Sequence, residues 1–225
     1  MIRRLFPYYG AKHRISSAYP APRHGLIVEP FAGSAAYSHR YGEDNEVILI
    51  EKNQRIAEIW RWLLTVSEDE FLSLPGVDTF DHIEETGLSD GPAREFVRQW
   101  CSEASPTGRN KVSTMVKFGI GKGEYKFTNK HKLFIMSLIE KIRHWTIIEG
   151  DYQSAPDVRA TWYIDPPYQF GGEHYSKNCK TRDLDFGALG TWAKSRRGDV
   201  IVCEGNGADW MDFDLFKSCT DHTTH

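Results

Sequence analysis

The chain has 225 residues, with 28 Lys and Arg against 31 Asp and Glu and a formal net charge of -3. That length suffices for one substantial α/β domain with an inserted region and a core that needs no disulfide or metal staples. The near-neutral balance excludes a globally basic nucleic-acid binder, so any basic surface has to be local. Four cysteines, Cys101, Cys179, Cys203 and Cys219, form no C-x-x-C pair. This excludes a zinc ribbon and a thioredoxin-like redox site, and the cysteines read as reduced thiols of a cytosolic protein. No apolar run reaches the ~18–20 residues that cross a bilayer. The start Met-Ile-Arg-Arg-Leu-Phe-Pro lacks the long apolar stretch of a signal peptide. The expectation is a soluble cytoplasmic protein with no membrane partner.

In chain order, Leu26-Ile-Val-Glu29 and Val47-Ile-Leu-Ile-Glu51 are short β-branched runs that each end in an acid. The small residues between them leave room for a turn and a helix, as in a first βαβ unit. Ile56, Ile59, Trp60, Leu63 and Leu64 fall at helical spacing and predict a helix from about Gln54 to Val66. From Ser67 to about Lys130 the apolar runs thin out and acidic residues give way to basic ones, which reads as an insertion over 67–130 rather than more sheet. Its basic half holds Arg94, Arg98, Arg109, Lys111, Lys117, Lys122, Lys126 and Lys130, continuing to Lys132, with Phe118, Tyr125 and Phe127 interleaved.

Leu133, Phe134, Leu138, Ile139 and Ile142 predict one apolar helix face that returns the chain to a third strand, Trp145 to Ile148. A fourth strand, Ala160 to Ile164, delivers Asp165-Pro-Pro-Tyr168. A helix around Phe186 to Ser195 then leads to a fifth strand, Asp199 to Cys203, and the loop Glu204-Gly-Asn-Gly207. After Phe213 the remaining residues are short for two further strands. Alternating strands and helices predict an α/β fold with a mostly parallel twisted sheet and helices on both faces. Residues 1–66 and 131–225 would form the main domain, with ligand sites at the carboxyl ends of the strands.

The chemistry concentrates at those strand ends. Two consecutive prolines after Asp165 forbid both helix and ladder, leaving a carboxylate, backbone carbonyls and a phenol ring facing a crevice. Glu29-Pro-Phe-Ala-Gly33 is a strand followed by a sharp turn whose glycine permits close backbone approach to a ligand. It is not G-x-G-x-x-G, which fits a cofactor without a pyrophosphate. Glu51 at the end of strand two stands where a carboxylate accepts both hydroxyls of a ribose, and a strand-ending acid also serves as a helix cap. Near the amino terminus, Phe6-Pro-Tyr8-Tyr-Gly10-Ala-Lys12 combines aromatics, a turn glycine and a lysine ahead of any strand.

Phe-Pro-Tyr-Tyr-Gly-Ala-Lys, Glu-Pro-Phe-Ala-Gly and Asp-Pro-Pro-Tyr, in that order, resemble the Dam-type (D12 class, α-group) DNA adenine-N6 methyltransferases, over roughly residues 4 to 210. The resemblance implies a Rossmann-like class I methyltransferase fold and S-adenosylmethionine as cofactor. It places Tyr8 and Lys12 in the cofactor pocket, with Lys12 near the methionine carboxylate. Glu29 with Pro30, Phe31 and Gly33 would lie at the methionine part, Glu51 at the ribose, and Asp151 with Tyr152 at the adenine. The family's ribose position is commonly Asp within Asp-Ile-Asn, where this chain has Glu51-Lys52-Asn53.

The resemblance sets Asp165, Pro166, Pro167 and Tyr168 at the catalytic centre, where cofactor and target base meet. The Asp165 carboxylate and Pro166 carbonyl would each take one amine N–H, localising the lone pair toward the methyl donor, while the base stacks on Tyr168. The amine of a paired adenine is inaccessible, so the nucleotide would be flipped out of double-stranded DNA. Gln169 to Lys177, with Gly171 and Gly172, would be a closing loop. Arg109, Lys111, Lys117, Lys122 and Lys126 are the expected DNA contacts.

Val116-Lys-Phe-Gly-Ile-Gly-Lys-Gly-Glu-Tyr125 differs from the hairpin of GATC readers, so no recognition sequence is carried over. No metal is implied, and a monomer or weak dimer is expected. Cytosine-N4 or RNA adenine methylation, and a catalytically silent DNA-binding module of the same fold, are the competing readings.

Overall fold

The computed structural model describes residues 4–103, 105, 107–118, 126–170 and 184–213. Five strands form one sheet: β1 (Leu26–Glu29), β2 (Glu46–Glu51), β3 (Thr146–Glu149), β4 (Arg159–Ile164) and β5 (Arg197–Val202). Their order is β3-β2-β1-β4-β5, and every pairing is parallel. The fold is therefore α/β and Rossmann-like, as the alternation of strands and helices predicts. Among the described residues no helix is long and apolar enough to cross a membrane.

Side-chain alternation along the strands builds two core layers. Ile27, Leu49, Ile147, Tyr163 and Ile201 face one layer, whereas Val28, Ile50, Ile148, Trp162 and Val202 face the other. A period of two on every strand requires cover on both faces. The first face is covered by α2 (Gln54–Thr65) and α6 (Lys132–Glu140), and the second by Leu189 and Ala193 of α7 (Phe186–Lys194).

Local signals account for the helix starts. The Asn53 side chain accepts from Arg55 N at 3.2 Å to cap α2, and Asp185 accepts from Ala188 N at 2.9 Å to cap α7. Between β1 and β2 the helix is a single turn, α1 (Ser38–Tyr41). In α2 the buried residues are Ile56, Ala57, Ile59, Trp60 and Leu63; of the expected stripe only Leu64 is half-buried. The α6 stripe differs: Ile135, Met136, Leu138 and Ile139 are buried, while Leu133 is 65% exposed. Leu133 shares its face with Ser137 and Glu140, four and seven residues on, so that face turns to solvent.

The segment 67–130 adds no strand to the sheet among its described residues. It forms α3 (Glu68–Ser73), α4 (Pro92–Trp100) and α5 (Thr114–Lys117). Its apolar side chains join the main core rather than a separate one. Phe127 meets Phe71 and Phe96 edge-on at 5.6 and 5.2 Å, and Phe96 reaches Trp62 of α2 at 5.4 Å. The segment also anchors the amino-terminal arm: Trp100 Nε1 donates to Leu5 O at 3.1 Å, and Leu5 and Phe6 are fully buried. Lys132 is buried because its ammonium donates to Leu72 O and Leu74 O at the end of α3, so it belongs to the core rather than to a basic surface.

Gly198 in β5 has φ +112°, and a Cβ there would lie 2.0 Å from Ala160 O on the neighbouring strand. Gly198→Ala is expected to cost at least about 2 kcal/mol of stability, read by chemical denaturation, because both the dihedral and the partner backbone oppose it.

Candidate functional site

The strand order reverses between β1 and β4: after β1 the sheet grows through β2 and β3, and after β4 it grows the other way through β5. The carboxyl ends at such a switch point open a crevice. A cleft of about 880 Å³, counted to its open mouth, lies there. Tyr8, Lys12, Glu29, Pro30, Phe31, Gly33, Glu51, Asp151, Tyr152 and Asp165, all expected at a cofactor, line this one cleft. Pro167 lines it as well, and Pro166 is buried.

The turn after β1 is conformationally strained. Gly33 has φ +47° and Ala35 φ +50°, a region that side chains other than glycine disfavour. A Cβ on Gly33 would fall 2.9 and 3.0 Å from two ring carbons of Tyr8, so the absent side chain is what admits the arm. Two bonds hold this turn: Trp60 Nε1 donates to Gly33 O at 2.8 Å, and Gly33 N donates to Glu51 Oε2 at 2.9 Å.

The acids of the cleft are compensated differently. Glu51 accepts from Gly33 N with one oxygen and from Asn53 N at 2.7 Å with the other, and Lys52 N is a further backbone donor to it. Burial pushes its carboxyl upward, and these backbone donors oppose the shift. Glu29 accepts from Ser38 N at 2.6 Å, which fixes the start of α1, and burial raises its carboxyl to about 8. One of its oxygens thus serves the fold as a helix-end acceptor while the residue lines the cleft. Asp151 Oδ2 accepts from Lys52 at 2.8 Å, whereas Asp151 Oδ1 is buried with no hydrogen-bond partner among the described residues. The ring of Tyr152 stacks on Phe31 at 5.7 Å with 24° between planes.

The Lys12 ammonium lies 3.0 and 3.1 Å from the two oxygens of Asp165 and 4.8 Å from the centre of the Tyr168 ring. Lys12 was expected at a ligand carboxylate; the structure sets it on the carboxylate of the chain's own Asp165. Burial raises the Asp165 carboxyl, and Lys12 is the cation that opposes this. Behind them Tyr163 hydrogen-bonds Cys203 at 3.1 Å, and burial pushes the Cys203 thiol up to about 12.

Several lining residues lay outside the sequence expectation: Tyr9, Gly10, Ser34, Lys52, Tyr163 and Leu184. Tyr9 and Gly10 stand inside the Phe6 to Lys12 motif, and Lys52 follows Glu51, so adjacency was a usable signal. Tyr163 carries no local mark, because only the strand's register turns it toward the cleft.

The expected DNA contacts separate. Arg109, Lys111 and Lys117 are exposed, and Lys117 pairs with Asp81. Lys126 turns inward, contrary to expectation. Its side chain is only 17% exposed, and its ammonium donates to Met115 O at 2.7 Å and Val116 O at 3.2 Å at the carboxyl end of α5. Lys122, the 171–177 part of the expected closing loop, Cys179, Cys219 and the stretch after Phe213 lie outside the described residues.

The proton on Glu29 gives a pH test. The folded chain holds it to about 8, whereas the ordinary value is 4.5. The folded state then binds more protons across that window, so stability falls as pH rises through it. Glu29→Gln keeps an acceptor for Ser38 N and is expected to flatten this slope in denaturation series run across the window. Comparison with protein-family models gives no match, and a search of curated proteins gives none either.

Proposed function

We propose that the chain is an S-adenosylmethionine-dependent DNA methyltransferase that modifies the N6 amino group of a flipped-out adenine. The observation that carries this reading is the convergence of three sequence motifs, distant along the chain, on one cleft at the switch point. Lys12 and Asp165 line it in mutual contact, and the Tyr168 ring lies against the Lys12 ammonium just outside the lining.

The cleft chemistry fits the cofactor. Glu51 brings a carboxylate acceptor to the cleft for a ribose hydroxyl beside its backbone donors, and the buried Asp151 Oδ1 calls for a donor such as an exocyclic amine. Phe31 and Tyr152 give flat apolar surface, and the turn at Gly33 brings backbone close without the glycine array a pyrophosphate needs. When bound, S-adenosylmethionine supplies an electrophilic methyl group.

The chain's own residues then have defined tasks. Lys12 favours the anionic form of Asp165 despite its burial, so the carboxylate is available as an acceptor. Asp165 and the Pro166 carbonyl hold the two amine hydrogens, which turns the nitrogen lone pair out of conjugation and toward the methyl donor. No strong base is needed, because the nitrogen becomes acidic only once alkylated. The Tyr168 ring offers a face to the base, worth about 1–3 kcal/mol. Exposed Arg109 and Lys111 can meet phosphates, as can Lys117 in exchange for its pairing with Asp81, with Met115 and Phe118 exposed beside Lys117.

Asp165→Ala should bind S-adenosylmethionine close to normally and lose methyl transfer, by on the order of 100-fold or more. Titration calorimetry beside a labelled-methyl assay checks both; turnover within a few-fold of the parent would remove Asp165 from the amine.

A further inference from the structure

The loop after β5 holds a carboxylate for which the proposed chemistry has no task. Cys203 N donates to Ile164 O at 2.8 Å, extending the β4–β5 ladder by one rung and bringing Glu204 alongside the start of Asp165-Pro-Pro-Tyr. The two Glu204 oxygens accept from Gln169 N at 3.2 and 3.3 Å. They also take Gly205 N at 2.7 Å and Trp210 Nε1 at 2.8 Å. Three donors on one half-buried carboxylate are more than a solvated surface acid would collect.

A second set of bonds closes around the first. Gln169 Nε2 donates to Asp209 Oδ1 at 2.9 Å, and Asp209 N donates back to Gln169 Oε1 at 3.1 Å. Trp210 packs tightly on α7, since its carbonyl oxygen lies 2.8 Å from where a Cβ on Gly190 would stand. Gly205 backs the Tyr168 ring, with its ideal Cβ position 3.5 Å from a ring carbon. The peptide leaving Tyr168 is thus tied to β5 and α7, while Phe170 beyond it is 58% exposed.

We propose that Glu204 is a positioning residue for the Asp165 to Tyr168 loop: its carboxylate fixes the Tyr168–Gln169 peptide and thereby the plane of the ring on which the acceptor base stacks. This rests on the methyltransferase reading for its consequence in catalysis, but the tether itself is independent of it. Glu204 touches neither cofactor nor base, so its removal acts on ring orientation and not on the cofactor side of the cleft.

The test compares Glu204→Ala and Glu204→Gln with the parent chain by amide hydrogen exchange, S-adenosylmethionine titration and steady-state methylation of DNA. In Glu204→Ala the Gln169 amide should exchange about tenfold faster or more. Its kcat should fall about 10- to 100-fold while the cofactor Kd stays within about twofold. Glu204→Gln, which keeps one acceptor oxygen, should fall between Ala and the parent. Unchanged Gln169 exchange, or kcat within about twofold of the parent, overturns the proposal. A joint collapse of cofactor binding and thermal midpoint overturns it too, since that would mark a general structural role. If the parent chain methylates nothing, the methyltransferase reading fails, and the exchange data alone decide whether Glu204 holds the loop.

Discussion

Two adjacent parallel strands whose connections leave in opposite directions govern the site. With β1 leading to β2 and β4 leading to β5, the carboxyl ends of β1 and β4 lie side by side. Glu29 and Asp165 are set there by the ladder, not by any attraction between two acids, and the chain has to make that juxtaposition tolerable. It does so by giving Glu29 a backbone donor from α1 and Asp165 a lysine from the amino-terminal arm. The arm can reach Asp165 only because the turn after β1 has a glycine beneath the Tyr8 ring. The strain at Gly33 and Ala35, the arm and the ion pair are linked consequences of one topological choice.

The inserted segment takes part in this arrangement. Trp100 at the end of α4 holds Leu5, and Leu5 and Phe6 are buried in the core that also contains Trp60, the residue bonded to the Gly33 turn. Lys12 is therefore positioned jointly by the sheet and by the helices of 67–130. A sequence boundary at residue 67 marks a change of composition but not a change of core.

Much of the fold was legible because strand ends and helix stripes leave local marks. The five strands fall within a residue or two of the β-branched runs, and α2 begins at Gln54, where the apolar spacing predicts. The cleft residues were legible for a related reason, since Pro, Gly and acids cluster where strands stop. Tyr163 was not, because its orientation depends on the pairing of β4 with β1. Leu133 misled because apolar spacing alone does not say which face of α6 meets the core. Lys126 and Lys132 misled for an electrostatic reason: basic residues in sequence read as surface charge, but both ammonium groups serve carbonyls at helix ends, a role fixed only by tertiary packing. Glu204 was visible as a loop acid, yet its donors come from Gln169, Gly205 and Trp210, two of which only the fold brings near.

The account turns on what the Asp165 and Tyr168 end of the cleft does to nucleic acid. The most direct measurement is to incubate the purified chain with unmethylated DNA and methyl-labelled S-adenosylmethionine, digest the DNA to nucleosides and identify the labelled one by mass spectrometry. Label in N6-methyladenine is the predicted result. Label in N4-methylcytosine, or no labelled nucleoside from a chain that is folded, would contradict it.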